Sequence, residues 1–264
     1  MFKVSSEQKK IIKMAEQIKT KAIILSSIRW KESSKIVALF SEKLGKIKVI
    51  ARSAFRNDNP FAGKLESLTF VDLILFVKEN RSLQILKEIN IIDPFNTLKK
   101  DMYLYPYGLA ILELLNQVFE DGHPDEVFFN FIIEMLESLS QIKDPSNILL
   151  YLLLKVSSYL GFKPNLQTCL SSNPDLCDET VFLSITDGNI FCKNCGSRGL
   201  NNLKLTKKQF FYLKNLQNQN HRRIKNWIDS GSENGQLTQL LLNYINFHLD
   251  HDIKIDALAL LPIE

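Results

Sequence analysis

Residues 35–52 read Lys35-Ile36-Val37-Ala38-Leu39-Phe40-Ser41-Glu42-Lys43-Leu44-Gly45-Lys46-Ile47-Lys48-Val49-Ile50-Ala51-Arg52. An apolar run over Lys35–Phe40, the turn Glu42-Lys43-Leu44-Gly45 and an alternating run over Lys46–Arg52 predict a β-hairpin. In the second arm Ile47, Val49 and Ala51 face one way, and Lys46, Lys48, Ile50 and Arg52 face the other. Working outward, Ala22–Ile28 reads as a preceding strand, and Leu68–Lys78 and Leu83–Ile92 as two that follow. A loop containing Asn57-Asp58-Asn59-Pro60 and the polar turn Glu79-Asn80-Arg81-Ser82 separate them.

Five strands in about 72 residues suit a small closed barrel, because closure removes exposed sheet edges. An OB-type β-barrel is the natural candidate for residues 20–93. Ahead of it, Ile11, Ile12, Met14, Ala15 and Ile18 recur at helical spacing, so residues 1–19 are expected to be an N-terminal helical extension.

After Asp93-Pro94 the apolar period becomes helical. Leu98–Phe119 carries Leu109, Leu112, Leu115 and Phe119, is interrupted by Pro106, and ends at Asp121-Gly122-His123-Pro124. Asp125–Leu139 and Asn147–Leu160 follow, the latter started by Asp144-Pro145-Ser146 and stopped by Gly161. Helices resume at Thr206–Asn218 and Gln236–Leu249. The expected class is therefore α+β: a five-stranded barrel, then a helical bundle over 94–264 with an insertion at about 166–200.

That insertion holds all four cysteines: Cys169, Cys177, Cys192 and Cys195. Cys192-Lys193-Asn194-Cys195 is a Cys-x2-Cys knuckle followed by Gly196, and the 14 residues between Cys177 and Cys192 allow a short hairpin. Four converging thiolates suit a closed tetrahedral structural zinc site. Two disulfides are the competing reading, and they need an oxidising compartment. The N-terminus carries spaced lysines with no continuous apolar stretch, so a reducing cytoplasm and zinc are expected. A three-cysteine variant, with Asp175 or Asp178 replacing Cys177, stays open.

Net charge is only +4, yet residues 1–60 carry 14 Lys/Arg against 5 Asp/Glu. The other 204 residues carry 19 against 24. A basic barrel before a slightly acidic body points to an anionic partner, nucleic acid first. Candidate DNA-binding cations are Arg29, Lys31, Lys35, Lys43, Lys46, Lys48, Arg52 and Arg56. Lys46, Lys48 and Arg52 share one strand face, and Trp30 and Phe55 offer rings for base stacking. The plainer role for Phe55 is a barrel-end plug. His221-Arg222-Arg223 with Lys225 is a second basic cluster.

No catalytic constellation emerges. His248 and His251 lie three apart beside Asp250 and Asp252, which reads as a solvated helix end rather than a metal site. Neither a Gly-rich phosphate loop nor a nucleophile elbow is present, so a non-enzymatic protein is expected.

The order of parts resembles the bacterial RecO family, the recombination mediators of DNA repair. Thr20-Lys21-Ala22-Ile23-Ile24-Leu25 looks like its opening strand, and Lys31–Val37 with Phe40–Lys46 like its next hairpin. Tyr159–Cys169 and Asp187–Cys195 are similar to the segments that enter and leave its zinc region. The chain departs from the family where Ser172 replaces the second thiol of the first knuckle, and where Ser53 replaces a frequent glycine. The resemblance implies binding of single- and double-stranded DNA and annealing of complementary strands. It also implies work with RecR, contact with the C-terminal tail of the single-stranded-DNA-binding protein, and loading of RecA onto coated strands. The rivals are a zinc-ribbon RNA-binding or transcription accessory protein and a metal-dependent nuclease.

Overall fold

The computed structural model describes residues 15–56, 59–79, 81–169, 180–192, 202–220, 224 and 234–261. Two compact units divide the chain. One comprises Met1–Pro94 and Phe119–Glu126, the other Phe95–Val118 and Val127–Glu264.

In the first unit five strands form a closed barrel: β1 (Glu16–Trp30), β2 (Ser34–Ser41), β3 (Gly45–Ala51), β4 (Phe70–Val77) and β5 (Leu83–Asp93). They pair in the order β1-β2-β3-β5-β4, and β4 returns to β1. All pairs are antiparallel except β3 with β5. This is the strand order of an OB-type Greek-key barrel. β1 serves two neighbours because it is 15 residues long and carries a bulge between Ile24 and Ser26. Before the bulge it pairs with β4, and beyond it with β2 alone.

The core holds Ala22, Ile24, Val37, Leu39, Val49, Ala51, Val71, Leu73, Leu75, Leu86 and Ile89. In β2, β3 and β4 these are period-2 positions, whereas in β5 the register shift opposite Ile74 and Leu75 sets Leu86 and Ile89 three apart. Each fully buried Leu, Ile or Val stabilises by about 1.5–3 kcal/mol. The β3–β4 connection closes the barrel by tucking in Ala54, Phe61 and Leu65.

The structure corrects the helical extension at its C-terminal part. Residues 16–19 belong to β1, with Glu16 opposite Val77 and Lys19 opposite Ile74. The helical spacing that ended on Ile18 is overridden there by pairing along the free edge of β4, as tertiary context overrides weak local preference. Residues 1–14 lie outside the described residues.

The second unit opens with α1 (Asn96–Lys100) and α2 (Leu104–Val118), two helices where one interrupted helix was expected. The break precedes Pro106 rather than falling on it. Asp101 Oδ1 accepts from the backbone N–H of Tyr103 and Leu104 and starts a new helix. Pro106 then sits in a first turn, where a missing N–H costs nothing. α3 (Glu126–Ser138) and α4 (Ser146–Tyr159) follow. α4 is the central helix: Ile148 through Leu154 are all at most 1% exposed, the signature of a helix apolar on every side. Gly161 ends it at φ +92°, and the Phe162 N–H closes on the Ser157 carbonyl at 3.0 Å.

The cysteine-bearing insertion is a four-stranded sheet rather than a lone hairpin. Its strands are β6 (Asn165–Cys169), β7 (Thr180–Ser184), β8 (Asn189–Cys192) and β9 (Asn202–Thr206), in the order β6-β8-β7-β9. The expected hairpin is its centre, β7 with β8. α5 (Lys207–Gln217) starts at a Thr206–Gln209 capping box. α6 (Asn234–His248) packs on α4, and a 3₁₀ turn over Asp256–Leu260 packs on α2.

Candidate nucleic-acid interface

The eight candidate cations fall at two ends of the β2–β3 hairpin and along its outer face. The register places Lys35 opposite Ala51 at one end and Ser41 opposite Gly45 at the other. These ends are roughly 20 Å apart.

At the Lys35 end, Arg29 pairs with Lys35 across β1 and β2. Lys31 forms the β1–β2 turn with a left-handed φ of +54°. Arg52 and Arg56 lie in and just after the turn that leaves β3, and both are exposed. That turn holds Ser53 at φ +58°, the position expected to favour glycine. It is fastened by the Phe55 N–H on the Ser33 carbonyl at 3.1 Å and the Arg56 N–H on the Ser53 carbonyl at 3.1 Å. Asn59 adds a side-chain bond to the Ala54 carbonyl and accepts from the Phe61 N–H at 2.8 Å. Phe55 itself remains 45% exposed, so the barrel-end plug is Phe61, at 7%, not Phe55. Arg29 Cζ stands 5.0 Å and Lys35 Nζ 5.3 Å from the Phe55 ring centroid.

The outer face of the barrel carries Lys48 and Arg52 on either side of Ile50, as alternation predicted. The register extends this into a cross-strand row, Ile28–Ile36–Ile50–Ile85, with Trp30 beside Ile28. Ile28 is 58% and Trp30 43% exposed. The sequence reading missed this apolar row, because a parallel β3–β5 register is invisible in any one strand. Its only local sign was Ile50, an isoleucine on a lysine face.

At the Gly45 end the chemistry differs. Lys46 Nζ lies 3.6 Å from the Asp121 carboxylate, and its side chain is only 14% exposed. The Gly122 N–H donates to the Lys46 carbonyl at 2.9 Å, and Phe119 packs on Phe40 with ring centroids 5.2 Å apart. Gly45 has φ +64°, and a Cβ there would lie 2.3 Å from the His123 carbonyl oxygen. Lys43 is exposed near this end. The structure therefore brings Arg29, Lys31, Lys35, Arg52 and Arg56 together, leaves Lys48 on the face between, and sets Lys43 and Lys46 apart.

Of the four cysteines, Cys192 is buried at 2% exposure beside Phe191, with Phe182 packed on the pair. β6 runs parallel to β8, so the backbone of Cys169 and that of Cys192 leave the sheet at the same end. β7, antiparallel to β8, begins at that end with Thr180. Cys177 and Cys195 lie outside the described residues, each three positions in sequence from the described strand ends at Thr180 and Cys192. Among the described residues no group of three or more metal-ligating side chains assembles.

His248 and His251 part company. The His248 ring stacks on Phe162 at 4.6 Å, while His251 Nε2 meets the Gln117 carbonyl at 2.9 Å. The cluster His221-Arg222-Arg223 and Lys225 lies outside the described residues. No described helix is long and apolar enough to cross a membrane.

Comparison with known proteins matches both units. The family model for the recombination protein O N terminal covers residues 14–95, and that for the recombination protein O C terminal covers 99–256. Curated relatives agree along the length. The DNA repair protein RecO of Prosthecochloris aestuarii is 26% identical over 245 residues, 89% of this chain and 93% of that protein. That of Flavobacterium psychrophilum is 28% identical over 247 residues, 93% and 98% of the two chains. That of Alkaliphilus metalliredigens is 25% identical over 239 residues, 88% and 94%. With a five-stranded OB-order barrel, a helical unit and an inserted sheet that ends in cysteines, the chain belongs to the recombination protein O (RecO) family.

Proposed function

We propose that this protein serves DNA repair and recombination by binding single- and double-stranded DNA and annealing complementary strands, without covalent catalysis. The observation that carries the reading is the group of exposed Arg29, Lys31, Arg52 and Arg56 with half-buried Lys35 at one end of an OB-order barrel. The surface between the first two strands and the outer face of the second and third are where such barrels take oligonucleotides. Lysines and arginines there neutralise phosphates, and Trp30 with the isoleucine row offers apolar surface to bases. Binding of this kind tolerates sequence and weakens steeply with salt.

In this reading the protein works with RecR and helps load RecA onto DNA coated by the single-stranded-DNA-binding protein. The C-terminal tail of that coat protein is acidic and ends in an apolar residue. A groove of about 470 Å³ on the helical unit offers matching chemistry, with exposed Lys254 beside Leu242, Ile253, Leu258 and Leu261. The decisive experiment is strand annealing on DNA coated with the cognate single-stranded-DNA-binding protein. Annealing above the protein-free rate supports the reading. Preference for RNA with no annealing would replace it by the RNA-binding alternative, and cleavage of labelled DNA in magnesium by a nuclease.

The insertion is proposed to hold one structural zinc through Cys169, Cys177, Cys192 and Cys195. When bound, the metal would tie the two chain ends leaving β6 and β8 and lend the insertion stability a small sheet lacks. Elemental analysis of the purified protein should return about one zinc per chain. Four titratable thiols with no metal would sink this assignment.

A further inference from the structure

Phe55 carries a role beyond those expected of it. The bulge in β1 shifts the alternation of that strand by one residue, so Arg29 falls in the same cross-strand row as Lys35 and Ala51. Ala51 is fully buried, so this row continues the barrel interior out to its mouth. Two cations thereby stand directly opposite each other on neighbouring strands, an arrangement that like charges disfavour. Phe55 lies over both. The negative face of an aromatic ring attracts a cation within about 6 Å of its centroid, and both contacts qualify. Arg29 is further tied by an Nη2 bond to the Glu32 carbonyl at 3.2 Å. The ring is held in turn by the Phe55 N–H bond to Ser33 and by burial of the preceding Ala54.

We propose that Phe55 is a positioning residue, not a base-stacking platform: its ring holds Arg29 and Lys35 side by side for two neighbouring phosphates of a single strand. The inference rests on the DNA-binding reading above and deepens it. A base approaching the ring would have to displace cations already attracted to it. A phosphate approaching the mouth meets two positive charges whose repulsion the ring has already offset.

The test compares wild type, Phe55→Leu, Phe55→Tyr and Arg29→Gln. Binding is measured on a fluorescent oligothymidine and on an abasic strand of equal length, over a range of salt. Circular dichroism of each variant checks the fold, and half-exposed Phe55 tolerates leucine. Phe55→Leu should weaken binding about fivefold on both strands, because the phosphates are common to both. Its salt slope should stay that of wild type, since no charge is lost, whereas Arg29→Gln should flatten the slope by about 0.7. Phe55→Tyr should restore affinity to within about twofold, because the phenol keeps the ring face. A Phe55→Leu penalty on oligothymidine that vanishes on the abasic strand would mean base stacking and overturn the proposal. So would Phe55→Leu binding like wild type, or Phe55→Tyr binding as poorly as Phe55→Leu. Wild type binding neither strand would instead remove the DNA-binding reading itself, and this proposal with it.

Discussion

Both ends of the β2–β3 hairpin carry cations in sequence, and the structure uses them in opposite ways. At the Gly45 end, Lys46 is drawn onto Asp121, the backbone is joined to Gly122, and Gly45 touches the His123 carbonyl so closely that no side chain fits. At the Lys35 end, Arg29 and Lys35 stand against an exposed ring with Arg52 and Arg56 exposed in and after the adjoining turn, and no carboxylate pairs with them among the described ion pairs. Lysine content is the same kind of signal at both ends. Availability is decided by what packs against each.

This contrast can be broken most directly by charge reversal. Arg29→Glu, Lys35→Glu and Arg52→Glu together should lower single-stranded DNA affinity on the order of a hundredfold at low salt, read by fluorescence anisotropy. The protein should stay folded, because none of the three is fully buried. Gly45→Ala should come next. It meets both a positive φ and a backbone clash, and should cost about 2 kcal/mol or more, seen as a fall in urea midpoint. Lys46→Glu sets a carboxylate beside Asp121 and should cost about 1 kcal/mol in the same measurement. Its DNA affinity should fall less than about threefold, the loss of one remote charge. A larger loss would return Lys46 to the interface and erase the difference between the ends. The smallest effect is Ser53→Gly, which relieves a left-handed residue and should stabilise by about 0.5–1 kcal/mol.

Much of the architecture was legible from periodicity. The hairpin over residues 35–52, the two later strands and the helices around Gly161 and Thr206 match their observed bounds to within a few residues. Those signals are local: alternation, helical apolar spacing and a glycine able to take positive φ. Several features were not legible. Residues 16–19 became strand because β4 offers a pairing edge. The break ahead of Pro106 came from Asp101, whose side chain captures two backbone donors. Segment 119–126 joined the barrel unit, although the sequence reads it as a helix break at Asp121–Pro124 flanked by helix ends.

For the candidate site the division is sharper. The amino-acid sequence alone determined that the barrel is basic, which strand face carries Lys48 and Arg52, and that four cysteines crowd one insertion. These follow from composition and from the period of two, which any extended strand must obey. Tertiary structure decided that Arg29 turns to the barrel mouth, because one bulged residue reverses every side chain beyond it. It also decided that Phe61 fills the barrel while Phe55 stays out, and that Lys46 meets a carboxylate while half-buried Lys35 meets the Phe55 ring. Each of these depends on a partner distant in sequence, and a strand's own residues carry no record of which partner arrives.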